Sequence, residues 1–304
     1  MPTHELAALG AAVCWALTGL VSTGPSRALG AIGFSRVRMA LVFVMLAVAA
    51  LFTGGWATLS GPLWTPILVS GFVGIFLGDT ALFLTLNRLG PRATAILFAA
   101  NAPMTVLLGW AALGESLPAA ALAGALVTFA GIVLAILYGR RREGRGTNPF
   151  ERTRGPLPVA IGLGLLAALG QSVGTLVARP VMSGELGGAV PDAVAVSAVR
   201  VGVAALALNA TALLPTPATR LGAPLTPRLV AEVALSGLLA MGIGMTLLLY
   251  ALSGGEAGLV ATLSATTPVA ILPLLWAVTG ERPRAGAWVG AALTVAGSAL
   301  IFAR

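Results

Sequence analysis

The feature that most constrains this chain is a series of ten apolar runs, each about as long as a bilayer is thick. They fall near residues 5 to 24, 33 to 52, 66 to 87, 92 to 112, 118 to 138, 157 to 178, 191 to 214, 228 to 251, 257 to 279 and 285 to 302. A helix rises about 1.5 Å per residue, so roughly 20 residues cross a membrane. The 304-residue chain is therefore nearly used up by ten crossings, with no length left for a separate soluble domain. Composition agrees: a soluble domain carries about 25% charged residues, and this chain has 9%, with 58% apolar residues and a mean hydropathy of +0.97. The expected fold class is an all-α polytopic membrane protein.

The first run is not read as a cleaved leader, because His4 and Glu5 stand where a leader has its positive segment. Connections are mostly short, which makes consecutive spans antiparallel neighbours. The exception is the polar, Arg-rich stretch 139–156, which divides the chain into segments 1–138 and 157–304. All 18 basic residues are Arg. Fifteen of them, including Arg36, Arg38, Arg88, Arg92, Arg140, Arg141, Arg142, Arg152, Arg154, Arg282 and Arg284, fall on one side of the alternating pattern. Arg179, Arg200 and Arg304 fall on the other. By the positive-inside rule both termini are expected outside and the 139–156 loop in the cytoplasm of a multi-pass cell (inner) membrane protein. The net charge of +8 is thereby assigned to topology, and no nucleic-acid partner is expected. Cys14 is the sole cysteine, so no internal disulfide or thiolate metal cluster can form, and no cofactor is expected.

The chain repeats itself. Ser70, Gly71, Gly78 and Thr80 recur as Ser236, Gly237, Gly244 and Thr246. Gly114-Glu115, Gly124 and Gly131 recur as Gly280-Glu281, Gly290 and Gly297 at the same offset of 166. Ser35 and Arg38 recur as Ser197 and Arg200, and Pro103 as Pro268. Shared register over most of each half predicts a duplicated five-helix unit. Five is odd, so the second copy enters the membrane from the opposite face. The expectation is two inverted five-helix repeats around a central cavity, an arrangement that supports alternating access.

With Trp15 in the first span, Arg38 and Arg200 at matching positions, and the doubled pattern of Pro, then Gly-Glu, then a Gly-rich helix, the chain resembles the drug/metabolite transporter superfamily, EamA type. Within it the chain is similar to the YddG-like amino-acid exporters. The resemblance covers the whole chain. It implies a central cavity lined mainly by spans 1, 3, 4, 6, 8 and 9, and substrates that are aromatic or other hydrophobic amino acids. One departure is Gln171, which stands in span 6 where Trp15 stands in span 1.

Asp79 is the one acid deep in a span, and a charge there is costly enough to require a reason. At regular helical spacing Phe72, Phe76, Asp79 and Phe83 share a face. Such a stripe can receive an ammonium group through charge pairing and cation–π contact, or Asp79 can be a proton site. The alternative is that Asp79 bonds a neighbouring helix or an Arg while the Phe residues pack. Met245 occupies the repeat-related position, so the duplicated fold does not itself demand an acid. Pro103 and Pro268 are expected to kink their spans and free backbone carbonyls near Ala99 and Ser264. Paired Pro-interrupted segments are a pointer to a transporter's binding site. Polar residues beside them add Thr18 to Trp15 on span 1, Asn101 on span 4, Gln171 on span 6 and Thr266 on span 9 as candidate substrate contacts. Glu115 and Glu281 end repeat-related spans. Matching sides suggests gating ion pairs Arg200–Glu115 and Arg38–Glu281 that close alternately.

The sole His4 lies outside every span and Asp79 has no second membrane acid, so serine and aspartyl intramembrane enzymes are disfavoured, and no metal-ligand spacing is present. Phosphorylated substrates are disfavoured on the reading that no Arg sits at mid-membrane. The remaining expectation is a secondary transporter, not an enzyme, exporting amino acids or similar small neutral or zwitterionic metabolites. Lipophilic-cation efflux, resting on the same Asp79, is the other transport reading, and a non-transporting scaffold or lipid scramblase is a distant third. The expected partners are the solute, the lipid bilayer and, if Asp79 is a proton site, protons, with the protein a monomer or weak dimer.

Overall fold

The computed structural model describes residues 2–113, 118–139, 154–186, 189–214, 216, 219–254, 260 and 263–302. The Gly114-Glu115 pair and most of the Arg-rich linker lie outside the described residues. Within them every long element is a helix: α1 (Pro2–Val21), α2 (Thr23–Leu29), α3 (Ala31–Phe52), α4 (Trp64–Ser70), α5 (Gly78–Phe98), α6 (Asn101–Leu113), α7 (Ala119–Gly139), α8 (Leu157–Met182), α9 (Ala193–Ala210), α10 (Pro227–Gly237), α11 (Met245–Gly254), α12 (Thr267–Thr279) and α13 (Ala285–Phe302). Six continuous helical stretches are long and apolar enough to span a membrane, and three further apolar helices are shorter.

One of the six, Gly61–Phe98, is two spans. Gly90 has φ +78°, a left-handed value that glycine adopts without steric cost, and Pro91 comes directly after it. The chain reverses there. Packing against α8 shows the reversal, because Gly78 lies against Gly170 and Leu97 lies against Gly164, while the Arg88 carbonyl between them accepts from the amide of Arg154 before α8 begins. The third span thus runs to Leu89 and the fourth starts at Pro91, close to the sequence expectation.

The inverted duplication is visible in the packing of α7 on α13. A Cβ placed on Gly124 would meet Ile301, and one on Gly131 would meet Thr294. One on Gly290 would meet Ala135, and one on Gly297 would meet Thr128. As one number rises the other falls, so the helices are antiparallel. They are also repeat equivalents, since Gly124 and Gly131 correspond to Gly290 and Gly297. Equivalent helices meeting antiparallel require a two-fold axis perpendicular to them, which lies in the membrane plane. Other contacts obey the same axis. Gly78 abuts Gln171 and Gly244 abuts Trp15, while Gly71 abuts Arg200 and Gly237 abuts Arg38. The fold is all-α and polytopic, with ten spans in two inverted five-helix repeats around a central cavity.

Small residues set the interhelical distances. Gly74 and Gly78 face Gly170 and Gly174, and a Cβ on Gly170 would lie 2.8 Å from the Gly78 Cα. Without a hydrophobic drive between helices in lipid, such close backbone approach supplies dispersion contact instead. The small-residue stripe of the third span is therefore spent inside the bundle.

Each repeat carries one further irregularity. Gly71–Leu77, between α4 and α5, and Leu238–Gly244, between α10 and α11, are π-helical. They occupy corresponding places in the two halves, and π segments collect at functional sites. Their i→i+5 pattern alters which side chains share a face.

Candidate functional site

A cavity of about 90 Å³ lies at the centre of the bundle, space for several water-sized groups. Its lining is mostly apolar and includes Trp15, Thr18, Arg38, Gly74, Asp79, Phe83, Thr94, Phe98, Gln171, Met241, Met245 and Thr267. A second cavity of about 50 Å³ adds Asn101, Thr175, Ser264 and Pro268. The two share Trp15, Ala95, Phe98, Gln171 and Thr267, so they are adjoining compartments with a common wall. Spans 1, 3, 4, 6, 8 and 9 supply the walls, as the family resemblance implied, and span 2 adds Arg38.

Asp79 pairs with Arg38, whose Nη2 donates to the carboxylate; the Arg38 side chain is 0% and the Asp79 side chain 4% exposed. The Arg38 guanidinium lies 4.2 Å from the Phe83 ring centroid and 5.3 Å from that of Phe34. The aromatic and acidic groups expected to receive a substrate cation are thus already arranged around a cation of the protein. The sequence pattern places Arg38 at an interface, in the topology count and paired with Glu281. It instead points into the bundle, its Nε and Nη1 have no hydrogen-bond partner among the described residues, and its charge is matched by Asp79. The Arg38–Glu281 contact is not made in this structure.

Arg200 is the repeat-related residue, and it too is buried, 2% exposed, in the middle of α9. Its Nη1 lies 3.2 Å from Sδ of Met245, the residue that replaces Asp79 in the second half. Its side chain reaches the cavity wall, because a Cβ on Gly74 would lie 3.5 Å from Nη2. The expectation that no Arg sits deep in the membrane is therefore wrong for both arginines, and phosphate-bearing solutes cannot be set aside on that ground. Removing the two from the topology count leaves its imbalance intact. Glu115, the proposed mate of Arg200, lies outside the described residues.

The aromatic stripe is only half as expected. Phe83 lines the cavity beside Asp79. Phe76 does not: it packs on the hydrophobic core and meets Phe72 in a tilted ring pair, centroids 5.0 Å apart, while Phe72 is exposed on the outer surface. The reason is the π turn. With i→i+5 bonding through Gly71–Leu77, the residue placed one turn before Asp79 is Gly74, and the glycine opens the wall where a phenylalanine at regular spacing would have closed it.

Both proline sites break their helices outright. Ala99 and Ala100 form a turn between α5 and α6, so Pro103 sits in the first turn of α6; Ala265 and Thr266 form a turn before α12, whose second residue is Pro268. Proline is tolerated there because first-turn amides have no intrahelical acceptor. The break rotates the residues beyond it, so Thr267 faces both cavities. Thr266, the expected contact, lines neither, and its hydroxyl returns 2.7 Å to the Leu263 carbonyl. Asn101 lines the second cavity, with its side-chain amide 2.7 Å from the Phe98 carbonyl and its own carbonyl accepting from Ser172 at 2.9 Å. Trp15 donates its indole N–H to the Ala240 carbonyl, 3.2 Å away, inside the second π segment. The Thr18 hydroxyl bonds the Cys14 carbonyl at 2.8 Å, and Gln171 faces both compartments.

Sequence reasoning does not reach Phe98, Thr267 or the depth of the two arginines. A polar residue abutting Pro268 could have pointed to Thr267. A repeated Arg within apolar context could have been read as buried. Nothing local marks Phe98.

A cavity between inverted repeats, flanked by paired broken helices, defines the class as a membrane transporter fold. The EamA-like transporter family matches residues 3–137 and again 159–303. The chain belongs to that family, and membrane transport is its class of function. No curated protein matches it. Among solved structures 28 chains match. One, described only as the crystal structure of a protein, superposes with a TM-score of 0.72 at 20% identity over 99% of this chain and 96% of its own. That likeness supports the fold alone.

Proposed function

We propose that the protein is a secondary transporter that exports amino acids, chiefly aromatic or other hydrophobic ones, or similar small neutral or zwitterionic metabolites, by alternating access. This is the substrate class of the YddG-like members it resembles. The observation that carries the reading is the central cavity itself, small, mostly apolar, walled by Trp15, Phe83 and Phe98, and placed where the two repeats meet. Discontinuous helices at the repeat interface are where secondary transporters bind their solutes. A few polar groups in an apolar pocket orient a ligand of this kind.

Lipophilic-cation efflux drew its support from Asp79. That carboxylate is committed to Arg38, and it is the only acid lining either cavity among the described residues. A cation would have to displace an internal guanidinium, so this reading is the weaker one. The protein is placed in the cell (inner) membrane with its termini outside on the Arg count. The test is counterflow in liposomes with a panel of labelled amino acids, with and without a pH gradient, on wild type and Asp79→Asn. Exchange of hydrophobic amino acids is expected. Exchange of a lipophilic cation and of no amino acid would overturn the assignment, and normal transport by Asp79→Asn would make the acid structural.

A further inference from the structure

The two halves place a buried arginine at corresponding positions, but among the described residues only one half gives it a carboxylate. Arg38 meets Asp79 in the first repeat; Arg200 meets the Met245 thioether in the second. A thioether is a weak acceptor, and the Arg200 Nε has no hydrogen-bond partner among the described residues. A buried cation without an anion is costly unless something pairs with it. Arg200 itself lines neither cavity, but two residues beside its guanidinium, Met245 and Gly74, line the central one, so the cation stands directly behind the wall. Methionine is unbranched and adaptable, so Met245 can swing aside without disturbing the backbone.

We propose that Arg200 is the carboxylate-binding residue of the central cavity, and that a solute carboxylate takes the place that the Asp79 carboxylate holds in the first repeat. This rests on the transport reading above and deepens it. The first repeat shows that the fold accommodates a carboxylate against an arginine at this position. Since Asp79 already neutralises Arg38, the guanidinium left without a carboxylate among the described residues, directly behind the wall formed by Met245 and Gly74, is that of Arg200. Its guanidinium offers paired donors suited to a carboxylate, while Trp15, Phe83 and Phe98 offer surface to an apolar body. The solute class is a small carboxylate with an apolar side, amino acids included, and decarboxylated amines are rejected.

The test is binding to the purified full chain in detergent, read by ligand-induced thermal shift, using matched pairs: phenylalanine and phenethylamine, leucine and isoamylamine, and phenylpropionate as an acid without an amine. The acids are expected to bind and their amines to bind at least tenfold more weakly. Arg200→Gln should abolish acid binding. Met245→Asp supplies the missing internal carboxylate; it should fold at least as stably as wild type and lose acid binding at least tenfold. Equal binding of acids and amines, binding by no member of the pairs, or unchanged acid binding in Met245→Asp overturns the inference. Acid binding that is lost in Met245→Asp, in a protein that moves no solute across liposomes, would sustain the inference and overturn the transport reading instead.

Discussion

Arg38 and Asp79 form an ion pair shielded from solvent on both sides, with the guanidinium stacked over Phe83 at 4.2 Å. Removing one partner of such a pair leaves a bare charge, which costs about 3–5 kcal/mol, whereas replacing both by apolar groups is often neutral. Asp79→Leu is therefore expected to lower stability by about that amount, and Arg38→Met with Asp79→Leu to recover most of it. Chemical unfolding in detergent measures the cycle, and equal stability of the Asp79→Leu single variant and wild type would remove the pair from the list of stabilising contacts.

The α7–α13 interface predicts a contrast between glycines. A Cβ on Gly131 would lie 2.6 Å from the Thr294 amide nitrogen and 2.8 Å from the Gly290 carbonyl oxygen, both backbone atoms that cannot step aside. Gly131→Val should force the helices apart and cost about 1–3 kcal/mol or more. Gly162, on α8, has nothing within 4 Å of an added Cβ; Gly162→Ala should be neutral or gain up to about 1 kcal/mol from helix propensity. The thermal melt of Gly131→Val should fall, and that of Gly162→Ala should hold or rise.

Trp15 joins the first span to the second π segment through one hydrogen bond, Nε1 to the Ala240 carbonyl. Trp15→Phe keeps most of the ring and loses the donor, so a stability loss of about 1 kcal/mol is expected. Because Trp15 also lines both cavities, a variant with Trp15 as its only tryptophan should change its fluorescence when a solute binds. Spectra that stay constant under saturating solute would place the solute elsewhere.

Pro103 and Pro268 hold two helix breaks open at the cavity rim. Pro→Ala at each lets the half-helices extend toward one another, and since both prolines sit in first turns the change in stability should stay within about 1 kcal/mol. Transport should slow severalfold in the double variant, as measured by initial rates in liposomes. Full flux from the double variant would show that the breaks are not used in the transport cycle.

Ten spans, their duplication and their inversion were determined by the sequence alone, because each depends on local facts: run length against bilayer thickness, Gly and Pro positions that recur at one offset, and the parity of a five-helix unit. Trp15, Thr18, Asp79, Asn101 and Gln171 were legible as cavity candidates for a related reason, since a polar or amphipathic side chain in an apolar span must face inward, and Phe83 was legible because it shares the helical face of Asp79. The partner of Asp79 was not legible. Arg38 looked interfacial by its distance from the end of a run, and only the packing of α3 on α5 and on the second π segment carries it inside. Phe76 and Thr266 fell to the same cause in two forms. A π turn and a helix break each shift the angular phase of the residues beyond them, and a phase shift is a property of backbone hydrogen bonding that a count at 3.6 residues per turn does not contain. Tertiary structure alone decided that the two repeated arginines differ, one facing a carboxylate and the other a thioether, because that difference exists only where α3 meets α5 and α9 meets α11.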